Sequence, residues 1–151
     1  MALILGVDPG RTGALAVLDT HDGRVTCHDM PDTIEGLHAL VCEMPAVRLA
    51  VLEQLHAGPT MPGTRVAAMF EHYGALKGAL IWRDIPIRTV RPDQWKAAMG
   101  VPKRAGKTER KRASREKAGE AFPADAEQWR LAKHDGRAEA ALLALYGKRW
   151  V

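Results

Sequence analysis

The residues Leu3-Ile4-Leu5-Gly6-Val7 form an unbroken apolar run that ends on Asp8 and is followed at once by Pro9-Gly10. A short apolar run closed by turn residues reads as a buried strand. The chain must therefore accommodate a carboxylate at the end of a central strand. Burying such a group alone is costly, so it has to be solvated, paired or bound to a cation. The pattern returns at Val47–Glu53, a second short apolar run that ends on an acid. Two central strands with acidic ends constrain the fold to a sheet whose strand ends gather polar chemistry, and open α/β sheets place their sites there.

The rest of the chain supplies the other layers. Ala14 to Asp19 reads as a strand, His21-Asp22-Gly23 as a hairpin turn, and Arg24 to His28 as a third strand. Together with the first run they make an antiparallel three-strand meander. Asp32 or Thr33 caps a helix running to about Glu43, with Ile34, Leu37, Leu40 and Val41 on one face. After the second acidic strand comes a loop, His56 to Gly63. The helix that follows carries Val66, Met69, Phe70, Tyr73, Leu76 and Leu80 at helical spacing, and Gly74 and Gly78 would admit a close neighbour. Ile85 to Val90 reads as a strand, and Pro92 opens a helix whose Trp95 is read as core. A basic helix spans about Thr108 to Phe122 and stops at Pro123. The last helix runs from about Asp135 to Lys148 with Ala138, Leu142, Leu145 and Tyr146 facing inward. A meander followed by βα units implies an α/β fold with a mixed five-stranded sheet, antiparallel in its meander and parallel elsewhere, flanked by helices.

A length of 151 residues fits a single domain, 1–151, with its own core. Asp8 interrupts the N-terminal apolar run too early for a signal peptide, and no window is apolar enough for a membrane span. Cys27 and Cys42 lack metal-ligand spacing and read as reduced, buried thiols, which suits the cytoplasm. The net charge is only +4, but between Lys103 and Lys117 eight basic residues face two acidic ones. Such clustering suits a polyanion, although a charge run also reads as a solvated helix face. Lys96, Lys103, Arg104, Lys107, Arg110, Lys111 and Arg112 are the candidate phosphate contacts.

Asp135 and Glu139 add two carboxylates four residues apart, on one face of a helix whose Ala138, Ala140 and Ala141 permit close approach to the sheet. Each acid has a plain structural alternative. Asp8 can be turn chemistry, Glu53 can pair with Arg48 or Arg88, Asp135 can be a helix cap, and Glu139 can pair with Arg137 or Arg130. Gathered in one place, the four would repel one another unless cations sat between them. Their hard oxygen donors suit Mg2+ or Mn2+. Two such ions about 4 Å apart serve phosphodiester hydrolysis.

Five segments in order carry a resemblance. Gly6-Val7-Asp8-Pro9-Gly10-Arg11-Thr12-Gly13 resembles the first strand-turn motif of RuvC-type Holliday-junction resolvases, in which the acid is a metal ligand. Val51-Leu52-Glu53-Gln54 is similar to the second acidic motif, and the segment from Phe70 to Gly78 to the glycine-containing helix. Val90-Arg91-Pro92-Asp93-Gln94-Trp95-Lys96 and the segment from His134 to Ala140 resemble motifs of the phage and prophage branch. The resemblance implies an RNase H-like fold and a bacterial cytosolic or nucleoid setting, with a phage origin open. It further implies a homodimeric crossover junction endodeoxyribonuclease, with two metal ions per site, that nicks opposing strands of a four-way DNA junction in recombination and repair. The metal ligands implied are Asp8, Glu53, Asp135 and Glu139. Many members space their last two ligands three apart rather than four, which leaves His134 as an alternative to Asp135. The helix from Arg65 to Trp82 is the candidate dimer face; its apolar stripe equally suits covering the sheet.

Other functional classes compete. An actin-like or sugar-kinase ATPase shares an Asp-x-Gly-x-Thr-Gly hairpin, but needs two lobes and far more chain. Another RNase H-like nuclease, acting on an RNA–DNA hybrid or as a transposase, differs little at this level. A junction-binding protein without catalysis would lack an acid, and all four are present.

Overall fold

The computed structural model describes residues 2–151. Its five strands are β1 (Leu3–Asp8), β2 (Ala14–Asp19), β3 (Val25–Asp29), β4 (Leu49–Glu53) and β5 (Ile87–Val90), in the spatial order β3-β2-β1-β4-β5. The β1–β2 and β2–β3 pairs are antiparallel, and the β1–β4 and β4–β5 pairs parallel. The helices are α1 (Ile34–Glu43), α2 (Gly63–Trp82), α3 (Pro92–Ala98), α4 (Lys107–Ala121) and α5 (Asp135–Tyr146). This is the mixed, helix-flanked sheet expected from the order of elements.

Alternation along the strands divides the core in two. Ile4, Ala14, Ala16, Leu18, Leu49 and Val51 face α5, with Trp95 of α3 and Ala113 and Ala118 of α4 on the same side. Leu5, Val7, Leu15, Val17, Ala50 and Leu52 face α1 and α2. Asp8 has the parity of Ile4, and Glu53 that of Val51. Both acids therefore point to the α5 side, and the register that pairs Val7 with Leu52 sets them side by side at the ends of adjacent parallel strands.

Glycine fixes how closely α5 lies on the sheet. A Cβ built on Gly6 in β1 would overlap the carbonyl oxygen of Ala140 and the amide of Ala144. At the start of the helix, a Cβ on Gly136 would strike the backbone of Thr12 and Gly13 in the β1–β2 turn. At its end, one on Gly147 would come within 2.8 Å of methyl groups of Ile4 and Val51. Ala138, Ala140, Ala141 and Ala144 fill the seam and are fully buried. The backbone of α5 thus rests almost directly on β1 and cannot slide without overlap.

Several boundaries differ from the expected ones. The fifth strand begins at Ile87 rather than Ile85, because Pro86 has no N–H for the ladder and only accepts, from Ala50 N at 2.8 Å. The last α-helix stops at Tyr146 and tightens into a 3-10 turn, Gly147–Trp150. Pro123 does not merely end α4: it opens a 3-10 segment, Pro123–Trp129, whose Asp125 and Gln128 bind the outer strand. Asp125 accepts from Arg24 and from Val25 N at 3.0 Å, and Gln128 accepts from Cys27 N at 2.8 Å. Thr33 caps α1 through Gly36 N at 3.0 Å. Cys42 is exposed rather than buried, on the solvent face of that helix near His38, because Leu37 and Val41 take the inward face. Ile34 shares the face of Leu37 and Val41 but is exposed at the first position of the helix. A Cβ built on Gly74 or Gly78 of α2 would meet nothing within 4 Å, so no helix among the described residues approaches there. No helix of the described residues is long and apolar enough to cross a membrane.

The glycine contact predicts a contrast between two Gly→Ala changes. Gly6→Ala forces a methyl into helix backbone that cannot move aside, and should cost about 3 kcal/mol in chemical denaturation. Gly74→Ala lies on an open helix face and should instead stabilise by up to about 1 kcal/mol. Equal effects would mean that α5 does not rest on Gly6.

Candidate metal centre

The strand ends and the tight docking of α5 bring three carboxylates together. Oxygens of Asp8, Glu53 and Glu139 all lie within 4.8 Å of one another. Asp8 ends β1, Glu53 ends β4, and Glu139 reaches down from the second turn of α5, one residue before the Ala140 carbonyl that rests on Gly6. None of the three pairs with an arginine among the described residues, so those alternatives fall away.

The partners around the cluster are specific. The indole N–H of Trp95 donates to Glu53 Oε2 at 2.7 Å. The Ser114 hydroxyl donates to Glu139 Oε1 at 2.9 Å, and Lys96 Nζ lies 2.8 Å from the same oxygen. Asp135, buried at the start of α5, is held by Lys111 Nζ at 3.1 Å and stands at the edge of the cluster. It is close enough that its charge still acts on Asp8.

The sequence reading placed Lys96 and Lys111 on a DNA-facing surface, whereas the structure turns both ammonium groups toward α5's acids. Lys103, Arg104, Lys107, Arg110 and Arg112 are exposed, as a phosphate-contacting surface requires, and only Arg112 is ion-paired, to Glu116 at 3.1 Å. His134 lies outside the three-carboxylate cluster, on the side of Asp29 and Arg137.

Two partners were not recognised as part of the site. Trp95 reads as core from the sequence, and it is fully buried. A buried indole nevertheless needs an acceptor for its N–H, and a nearby acid is a natural one. Ser114 carried a fainter signal, as a fully buried small hydroxyl on the most charged helix of the chain, three residues after Lys111.

Electrostatics inside the site is strained. Burial, then the charges of Glu139 and Glu53, push the Asp8 carboxyl well above its ordinary range, with Lys96 opposing. Burial and the Glu139 charge raise Glu53 as well, opposed by the Trp95 N–H and by Lys96. Burial alone would lower Lys96, but the charges of Glu139, Glu53 and Asp8 outweigh it and hold its pKa above the ordinary value. One ammonium thus offsets three close carboxylates only in part, and the remainder is what a bound cation would relieve. The donor set is all carboxylate oxygen, without sulfur or imidazole, and fits a hard divalent cation.

The fold is that of the RuvC-type resolvases. Thermus thermophilus RuvC in complex with Holliday junction substrate matches 97% of this chain and 95% of its own, at a TM-score of 0.68 and 15% identity. A second T. thermophilus RuvC structure gives 0.65 and 17% over the same shares. The fowlpox virus Holliday junction resolvase matches 99% of both chains at 0.58 and 15%. No protein-family model matches the sequence, and no curated protein matches it.

The raised carboxyls give a pH dependence with a definite sign. A carboxyl whose folded pKa lies above its unfolded value favours folding below the unfolded pKa, near 4, and loses that contribution as pH rises through the folded pKa. With a chelator present, thermal stability should fall from pH 4 upward through the raised range. Asp8→Asn should be more stable than wild type at pH 7, and the gap should close toward pH 4. Thermal melts across pH check this, and a variant less stable than wild type at pH 7 would contradict the repulsion. Added Mg2+ should stabilise wild type at pH 7 and leave Asp8→Asn nearly unchanged.

Proposed function

We propose that this chain is a metal-dependent endodeoxyribonuclease that resolves four-way DNA junctions, working as a homodimer from one domain spanning residues 1–151. The observation that carries the reading is the convergence of Asp8, Glu53 and Glu139 within 4.8 Å on the α5 face of an RNase H-like sheet. The full-length likeness to two resolvases named for Holliday junctions supports the substrate.

Asp8, Glu53 and Glu139 would hold the metal, with Asp135 completing the set from the edge. Mg2+ is the natural ion, Mn2+ fits the same oxygens, and the reading takes two ions per site. Bound there, divalent ions supply an activated water and charge neutralisation at the scissile phosphate. The chain's own residues do the positioning. Trp95 fixes one oxygen of Glu53, leaving the other free to ligate. Ser114 and Lys96 both hold Glu139 Oε1, which aims the remaining oxygen at the cluster. Lys111 contacts both oxygens of Asp135, each at 3.1 Å, and ties it to the basic helix. Such supporting contacts set ligand orientation and metal affinity.

Two symmetric nicks need two sites related by a two-fold axis. The face offered for this is α2, where Phe70, Ile81 and Trp82 are exposed and Gly74 and Gly78 are open. The affinity surface is the stretch Lys103, Arg104, Lys107, Arg110 and Arg112, set apart from the chemistry.

The deciding assay compares a four-way junction with linear duplex and RNA–DNA hybrid, with and without Mg2+. Wild type should cut the junction alone, as paired nicks, and two chains should sediment on each junction. Asp8→Asn should abolish cutting with junction affinity largely retained, and Trp95→Phe should lower cutting about 10- to 100-fold. Preferential cleavage of the hybrid would move the chain to another RNase H-like activity. Binding without cleavage by wild type would leave a junction-binding protein.

A separate measurement concerns the basic surface. Phosphate contacts release counterions, so affinity falls with salt by roughly 0.9 in log–log slope per neutralised phosphate. Lys103→Ala with Lys107→Ala should flatten that slope by roughly 1 per lysine and weaken all junction sequences alike. An unchanged slope would reduce the stretch to a solvated loop and helix start.

A further inference from the structure

A groove of about 350 Å³ lies between α4 and the Pro123–Trp129 segment. It is lined by other residues than the carboxylate cluster. Two buried donors belong to its walls and have no hydrogen-bond partner among the described residues: Nε of Arg115 and Nε1 of Trp129. Trp129 is 2% exposed, and its ring is held edge-on against Phe122. Leaving such donors unmet is costly. Gly119 also lines the groove, and a Cβ there would sit 4.0 Å from Trp129 Nε1.

Charge indicates what kind of acceptor fits. Arg112, Arg115 and Arg130 line the groove together with Glu116 and Glu127, one positive charge in excess. Arg112 is paired with Glu116 at 3.1 Å and Arg130 with Glu127 at 2.6 Å, both on exposed side chains. Among the described residues Arg115 has no carboxylate partner, and its one hydrogen bond runs from Nη1 to the carbonyl oxygen of Arg130 at 3.3 Å. A half-buried guanidinium without a counter-ion, beside a buried N–H and two further arginines, calls for an anion with several acceptor oxygens rather than a neutral carbonyl.

We propose that this groove is an anion site, separate from the carboxylate cluster, which takes a phosphate-class oxyanion on Arg115 Nε and Trp129 Nε1. The oxyanion is either inorganic phosphate or a phosphodiester of DNA. On α4 the groove residues Arg112, Arg115, Glu116 and Gly119 lie roughly a third of a turn round from Lys111, Ser114 and Ala118, which face α5. One helix therefore separates the two sites, and the site's existence does not depend on the cleavage reading.

Proton–nitrogen NMR of the full chain tests it. Four tryptophans give four indole N–H signals, and Trp129→Phe removes the one of interest; through-bond correlation assigns that signal should the variant not fold. Sodium phosphate is titrated against sodium chloride at matched ionic strength. A short DNA duplex is titrated in a second arm without added divalent metal. The Trp129 indole signal should move saturably with phosphate, with the duplex, or with both, and should ignore chloride. The response to phosphate alone would name the free ion as ligand, and to the duplex alone the phosphodiester. Arg115→Met should weaken the responding arm about ten-fold or more. A Trp129 signal that neither arm moves, that chloride moves equally, or that responds unchanged in Arg115→Met overturns the site. Loss of nuclease activity in another variant has no bearing on these readings.

Discussion

The architecture depends on one contact, the backbone of α5 lying against Gly6 of β1. A side chain at that position would overlap Ala140 and Ala144, so the helix would have to lift from the sheet. Glu139 precedes Ala140, and its reach to Asp8 is set by that separation. The glycines at the two ends of the seam, Gly136 and Gly147, fix the helix along its length. The contact is steric rather than attractive in origin, and it acts because protein interiors are packed too densely to yield. The alanines that fill the seam contribute burial, and the glycines contribute position.

With the helix fixed, electrostatics becomes the dominant cost. Three carboxylates share a space less than 5 Å across, and the chain does not neutralise them with a matching set of arginines. It supplies one lysine from α3, one hydroxyl from α4 and one indole N–H. Such a centre is held short of balance, as sites that must accept a cation are. The same contacts tie the layers together. Ser114–Glu139 and Lys111–Asp135 join α4 to α5, so the basic helix and the acidic site are mechanically one unit.

Much of this was legible in the sequence, and for identifiable reasons. Asp8 and Glu53 are legible because each closes an apolar run at the end of a central strand; that they share one face depends on the β1–β4 register. The alanine-rich face of the last helix announced its close approach. What was missed involved partners far apart in the chain. The lysines at 96 and 111 read as surface because charge runs usually are, and only tertiary packing turns their ammonium groups inward. The segment after Pro123 read as a stop because proline breaks helices. That it continues as a 3-10 turn bound to the outer strand depends on Asp125 and Gln128 reaching the edge of β3, a contact across about 100 residues. His134 is an alternative ligand on the family's spacing, but it ends the 3-10 turn before α5 and lies outside the three-carboxylate cluster.

The glycine seam also bears on when the site comes into being. Asp8 and Glu53 are made early as a ribosome reads this chain from its N-terminus, whereas Gly136, Glu139 and Ala140 come much later. The two strand-end acids have no third partner until α5 has been synthesised and has settled onto Gly6. During translation, then, the emerging polypeptide carries two thirds of its acidic centre but none of the geometry, and the capacity to hold a divalent ion among all three arrives in a single late docking event.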